Sequence, residues 1–249
     1  MNIWILLPCL NELPNIKNLI KHINKNIKLN TYNIKIVIID DGSIDGIGNE
    51  FKKFSLKKNC KIFYIKHKIN KGLAKALNTG FNFILRKSNN NKDIIITMDG
   101  DFTHPVKYIY RMIKKIQSGN DIVIASRFEK KSGIIGLSLF RVILSNAASY
   151  IYRCSFSLGI KEFTCNFRAY KFLLIKKSFS NDPKFISESG FICIPDILLK
   201  ILKHNKNIKI AEIPFELRYN LKEGESKIPI FSTIIKTLFL ILRRKIINA

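Results

Sequence analysis

The first half of the chain alternates short, almost wholly apolar runs with longer stretches whose apolar residues recur at helical spacing. Ile3–Leu7 is an apolar run closed by Pro8, and Ile34–Ile39 is apolar and mostly β-branched at nearly every position. Runs without a polar alternate read as strands covered on both faces, the habit of a parallel sheet. Lys61–Ile65, Asp93–Met98 and Asp121–Ala125 read as further strands. Between them, Asn15 to about Asn26, Asp45–Leu56, Leu73–Leu85 and the proline-opened Pro105–Gln117 read as helices. This β-α-β-α order predicts an α/β fold, an open and mostly parallel sheet with helices on both faces.

Ligands of such sheets sit beyond the carboxyl ends of the strands. Asp40, Asp41, Gly42 and Ser43 close the second strand, and Asp99, Gly100 and Asp101 close the fourth. The chain holds 18 Asp and Glu against 43 Lys and Arg, yet Asp40, Asp41, Asp45, Asp99 and Asp101 crowd into these two windows. Turn formation and helix capping explain either window alone; two at equivalent strand ends point to one crevice. Carboxylates sharing a crevice repel unless a cation or donor sits between them. Asp99 and Asp101 offer hard oxygen ligands on alternate residues, which suits Mg²⁺ or Mn²⁺ bridged to substrate phosphates. Such an ion would neutralise a departing diphosphate. His104 is expected to order this loop rather than to bind metal.

Composition narrows the classes. At 249 residues and 47% hydrophobic, the chain has the apolar mass for a sizeable core and is not dominated by disorder. Its net charge of +25 favours anionic partners, although a general bias towards Lys, Asn and Ile dilutes that clue. The five cysteines show no paired spacing, which argues for a reducing compartment and against disulfide or zinc scaffolds. No phosphate-binding G-x-x-x-x-G-K-[ST] loop, G-x-G-x-x-G turn or G-x-S-x-G elbow occurs. A nucleic-acid-binding module would interleave basic residues with exposed aromatics, whereas Phe51, Phe54 and Phe63 lie in apolar segments, so no nucleic-acid partner is expected. The apolar start is too short for a signal peptide, and no run reaches the roughly 20 apolar residues of a spanning helix.

The ordered segments "LLPCLNE", "IIDDGSIDG", "NKGLAKALNTG", "MDGDFTHP" and "ASRF" resemble those of family 2 glycosyltransferases. Farther on, "EFTCNFRAY" and "EGESK" resemble the D-x-T-S-x-F-R-x-Y and G-x-S-K segments of the dolichyl-phosphate mannosyltransferase-like branch. The resemblance spans roughly residues 1–228. It implies a GT-A (Rossmann-like) fold, a nucleotide-diphosphate sugar donor (a GDP- or UDP-sugar), Mg²⁺ or Mn²⁺, and inversion at the sugar carbon. It also implies a nucleotide-sugar half over 1–127 and an acceptor half over 128–228. By position it gives Pro8, Leu10, Glu12 and Asp41 to the nucleoside, and Asp99, Gly100 and Asp101 to metal and diphosphate. Arg127 would face the diphosphate and act with Asp101 in catalysis. Arg141 and Ser145 would meet a lipid-phosphate acceptor, and Arg218 and Lys227 would close over the phosphates. Four departures stand out: Leu10 replaces a tyrosine, Thr103 a glutamine and Asp196 a glutamate, and the Arg218–Lys227 interval is three residues longer.

A hydroxyl acceptor needs a general base, whereas a lipid monophosphate is already ionised near neutral pH and needs only positioning. The arginines at 141, 153, 168 and 218 favour the phosphate, although for Arg168 an ion pair with a neighbour is an equal expectation; a glycan hydroxyl is the alternative acceptor. The C-terminal segment 229–249 carries the apolar run Ile230–Leu242 followed by Arg243, Arg244 and Lys245. Its thirteen apolar-rich residues would span about 20 Å as a helix, short of the roughly 30 Å hydrocarbon core. An amphipathic helix in the membrane interface, its basic end on anionic head groups, is therefore expected, the alternative being a helix packed on the domain's own core. A peripheral enzyme at the cytoplasmic membrane face follows from that reading.

Overall fold

In the computed structural model the described residues are all but Lys52, Lys53, Ser55, Ser157, Pro183, Lys206, residues 225–229 and Ala249. The strands are β1 (Asn2–Cys9), β2 (Asn33–Asp40), β3 (Cys60–Lys66), β4 (Ile94–Thr97), β5 (Ile122–Ser126), β6 (Gly133–Ile135), β7 (Arg168–Lys171), β8 (Ile210–Pro214) and β9 (Glu216–Arg218). The helices are α1 (Leu13–Lys25), α2 (Ile47–Glu50), α3 (Leu73–Lys87), α4 (Lys107–Gln117), α5 (Leu139–Ser155), α6 (Phe172–Asn181), α7 (Cys193–His204) and α8 (Ile230–Asn248). Seven strands form one sheet in the order β3-β2-β1-β4-β7-β5-β8, and β6 pairs with β9 outside it. All pairings in the large sheet are parallel except those of β7 with β4 and β5.

The apolar runs are buried on both faces, as their lack of alternation requires. Ile3, Ile5 and Leu7 of β1 join the core layer under α1 and α4. Trp4 and Leu6 join the opposite layer, with Phe81 of α3, Leu198 of α7 and Ile241 of α8. Gly80 lets α3 lie against β1, because a Cβ there would stand 2.1 Å from a Leu6 methyl. Asp93, ahead of β4, accepts hydrogen bonds from the Asn2 amides, the Trp4 indole and the Ser88 hydroxyl, locking the start of β1 to β4.

Three local expectations change. Strand β1 continues through Pro8 to Cys9, since β2 still flanks it there while β4 ends opposite Leu6. Pro8 thus interrupts no ladder on the β4 side. The Asp45–Leu56 run contracts, among the described residues, to the single α-turn of α2, entered through Gly46 at φ +79°. Helix α8 is tied to the domain through its basic end: Arg243 pairs with Glu188, and Arg244 Nε lies 2.8 Å from Asp196 Oδ1. Those two arginines, expected on lipid head groups, thus neutralise acids of the protein itself, Asp196 being a buried carboxylate that needs a partner. Burial still pushes Asp196 above the usual carboxylate range, against the charge and hydrogen bonds of Arg244.

Candidate donor and metal site

The carboxyl ends of β1, β2 and β4 deliver three loops to one place, and the acids there divide into two kinds. Asp40, Asp41 and Asp45 hold the loops together. Asp40 is fully buried, accepts the Ser43 amide at 2.7 Å, and takes the Tyr64 hydroxyl on its other oxygen. Burial first, then the Asp40 carboxylate, pushes the Tyr64 phenol upward. Asp45 accepts the Leu13 amide at 2.9 Å, a carboxylate at the start of α1 where helix polarity favours it. Asp41 accepts His67 Nδ1 at 2.6 Å and the amides of Lys71 and Gly72 at 2.9 and 2.7 Å. Asp41, given to the nucleoside by resemblance, thereby also fixes the entry to α3.

Asp99 and Asp101 are the second kind. Asp99 Oδ1 accepts the Asn166 side-chain amide at 2.9 Å, and the Asp99 amide donates to His104 Nδ1 at 3.2 Å. His104 is buried and stacked on Phe167, the loop-ordering position expected of it. Asp101 Oδ1 accepts the Thr103 hydroxyl at 2.7 Å, leaving Oδ2 turned to Lys222 Nζ at 2.9 Å. Burial, reinforced by the Asp101 charge, raises Asp99 above the usual carboxylate range. Asp101 is half-buried, and Lys222, His104 and the hydrogen bonds to it hold it below that range against the cost of desolvation. Gly100 presses on β1, where a Cβ would stand 3.0 Å from the Pro8 carbonyl oxygen. Pro8 and Glu12 are buried and Leu10 half-buried along the same edge. Glu12 accepts the Asn15 side-chain amide at 2.6 Å.

Arg127 does not stand open towards a diphosphate. Its Nε and Nη2 each lie 2.8 Å from an oxygen of Glu162, Nη2 also donates to Thr164 Oγ1 at 2.7 Å, and Nη1 donates to Ser145 Oγ at 3.0 Å. Glu162 is wholly buried, and a buried carboxylate demands a cation. Burial works against both charges, but their attraction wins, holding Arg127 above and Glu162 below their usual ranges. Arg127 is therefore a positioning group linking α5 to the segment 162–166, whose Asn166 grips Asp99. Arg141, half-buried, lies four residues before Ser145 and so on the same face of α5.

The other arginines divide further. Arg168 is fully buried and donates to the carbonyls of Cys165, Ile194 and Phe163, neither an ion pair nor an acceptor contact. Arg153 stacks over Phe128 and Tyr150. Arg218 Nε pairs with Glu216 at 2.7 Å and borders a cavity of about 370 Å³ with His22, Lys25, Phe102 and Lys107. The cation paired with Asp101 is Lys222, whereas Arg218 is paired with Glu216; Lys227 lies outside the described residues. Sequence reasoning missed Lys222, Glu162, Asn166 and Asn15. The signal for Lys222 was the longer interval between Arg218 and Lys227, in which it lies.

A divalent ion suits this donor set. The two loop carboxylates are hard oxygen donors, and their seat already draws in a cation, the ammonium of Lys222. Among the described residues no three His, Cys, Asp or Glu side chains converge to cage a metal. Mg²⁺ or Mn²⁺ held by one or two carboxylates completes its shell with substrate phosphates and water.

The mostly parallel sheet, the acidic loops at its carboxyl edge and the D-x-D after β4 define a GT-A α/β architecture. The chain belongs to glycosyl transferase family 2, whose family model matches residues 4–179. It is 28% identical over 230 residues to a dolichol-phosphate mannosyltransferase of Pyrococcus furiosus, covering 92% of this chain and 59% of that protein. The chain thus spans about three-fifths of that relative's length. It is 24% identical over 211 residues to a polyprenol monophosphomannose synthase of Mycolicibacterium smegmatis, covering 84% and 75% of the two chains. An uncharacterised Methanocaldococcus jannaschii protein is 30% identical over 218 residues, covering 86% and 87%. The fold is that of Mycobacterium tuberculosis glucosyl-3-phosphoglycerate synthase, solved with Mn²⁺ and UDP-glucose, at a TM-score of 0.61, 16% identity and coverage of 96% and 78%.

Proposed function

We propose that the protein moves a hexose, mannose or glucose, from a GDP- or UDP-sugar to a polyprenyl phosphate, with inversion at the sugar carbon. An oxygen of the acceptor phosphate bonds to the sugar C1 as the bond from C1 to the donor's diphosphate oxygen breaks, and the nucleoside diphosphate departs with that electron pair. Because a phosphate acceptor carries no proton that must be removed, no general base is assigned.

The observation that carries this reading is the path from Asp99 to α5. Asn166 holds Asp99, Glu162 holds Arg127, and Arg127 holds Ser145 on the helix that also carries Arg141. On that helix Leu139, Phe140 and Ile143 are exposed at 81%, 62% and 64%. A cation and a hydroxyl beside an exposed apolar surface match a phosphate on a lipid tail. The two relatives named for dolichol-phosphate and polyprenol substrates support the same acceptor.

Asn166 and Thr103 fix the orientation of Asp99 and Asp101, and Gly100 keeps their loop against β1. Divalent metal held there would neutralise charge on the diphosphate leaving group. Arg141 and Ser145 position the acceptor phosphate. Among the described residues no helix is long and apolar enough to cross a membrane. The outer faces of α5 and α8, the latter exposing Ile235, Leu238, Phe239 and Leu242, would rest on the cytoplasmic membrane face.

A thermal-shift screen of UDP-, GDP- and dTDP-sugars, with and without Mn²⁺, tests the donor half. One sugar nucleotide should raise the melting temperature only with metal, because a ligand selective for the folded state stabilises it by mass action. Stabilisation by oligonucleotides and by no sugar nucleotide would overturn the reading.

A further inference from the structure

Lys222 stands at an unusual place for a surface-loop lysine. Its side chain is 7% exposed, its Nζ lies 2.9 Å from Asp101 Oδ2, and Glu12 Oε1 is 4.0 Å away. That position is built rather than incidental. Asn15, itself 1% exposed, donates its amide to the Glu223 carbonyl and accepts the Glu223 amide, both at 2.9 Å. This two-way bond clamps the backbone next to Lys222 onto α1. On the other side, the Lys222 amide closes the 3-10 turn Tyr219–Leu221.

The two oxygens of Asp101 are unequal. Thr103 occupies Oδ1 through both its amide and its hydroxyl, so Oδ2 is the oxygen left for a metal ion, and Lys222 holds that oxygen. A divalent ion held by Oδ2 would bring its two positive charges close to the Lys222 ammonium, which lies 2.9 Å from the same oxygen. Like charges that close repel strongly in a partly buried site.

We infer that Lys222 is a resident counter-ion of Asp101, the carboxylate of the metal seat that faces Glu12, and that a divalent ion must displace it, so that metal binding releases the Lys222 ammonium for the anionic donor. Lys222 is then a positioning residue with two states. With the seat lacking metal, it keeps neighbouring carboxylates from repelling and holds the segment after β9 against α1. With metal present, its charge is freed beside the diphosphate. This rests on the metal-dependent reading above, and it assigns to Lys222 the phosphate-closing role that resemblance gave to Arg218.

Mn²⁺ binding to the full chain without nucleotide, followed by the electron-paramagnetic-resonance signal of free Mn²⁺, reads this directly. Lys222→Met should tighten Mn²⁺ binding about tenfold or more, and Lys222→Arg should leave it within about twofold of the parent. Unchanged or weaker binding by Lys222→Met, while Asp101→Asn still abolishes Mn²⁺ binding, would overturn the role of Lys222 and leave the metal seat standing. Binding indifferent to Asp101→Asn would overturn the seat, and the inference with it. A second measurement needs no variant. Acylation of Lys222 by acetic anhydride, read by peptide mass spectrometry, should speed up several-fold when Mn²⁺ is added, and an unchanged or slower rate would contradict displacement.

Discussion

Arg127 and Glu162, 35 residues apart, meet in a two-bond ion pair whose carboxylate is wholly enclosed by protein. The pair joins the end of β5 to the segment that enters β7, and through Ser145 and Asn166 it reaches both α5 and the Asp99 loop. Removing one partner strands the other charge in the interior. Glu162→Ala should cost about 3–5 kcal/mol of stability, measured by urea denaturation.

The same pair sets a pH dependence. Glu162 is held below its usual range, so its contribution to stability is fully present above its unfolded value near pH 4.3 and fades as pH falls through its lower folded value. Urea midpoints measured from pH 6 downward should decline more steeply in the parent than in Glu162→Gln. Parallel declines would remove Glu162 from the account.

Gly42 sits at φ +85°, where a Cβ would come within 2.7 Å of the Ile69 and Asn70 backbone. Gly42→Ala must therefore push apart the loop after β2 and the loop leading to α3, which Asp41 otherwise joins. A cost of about 1–3 kcal/mol follows from the backbone strain. Donor binding, read by calorimetry, should weaken more than the melting temperature falls.

Much of this architecture was legible in the chain. Runs such as Ile34–Ile39 could be buried only in a covered parallel sheet, and the acids at 40–45 and 99–101 marked its carboxyl edge. The side-chain partnerships were not legible, because they depend on long-range closure. Nothing local says that Asn166 reaches back 67 residues to Asp99, or that Lys222 crosses 121 residues to Asp101. Arg243 and Arg244 read as a membrane-facing basic end because their acids, Glu188 and Asp196, lie far away in sequence.

The apolar faces of α5 and α8 should act together on a membrane. Phe140→Asp and Phe239→Asp each place a charge on an exposed site, at 62% and 67% exposure, and should leave folding unchanged. Co-sedimentation with anionic vesicles should fall several-fold in either variant and further in both together, with sugar-nucleotide binding unaffected. Loss of nucleotide binding in step with vesicle binding would mean that these faces serve the fold instead.

Transfer to a lipid phosphate can be followed directly with radiolabelled GDP-mannose or UDP-glucose, a polyprenyl phosphate and Mn²⁺, and extraction of the lipid. Label is expected in the organic phase as a polyprenyl phosphate sugar, dependent on metal and lost in Asp101→Ala, whose fold persists. Label that reaches only a glycan hydroxyl, or transfer that Asp101→Ala leaves intact with its metal dependence unchanged, would contradict the proposed function.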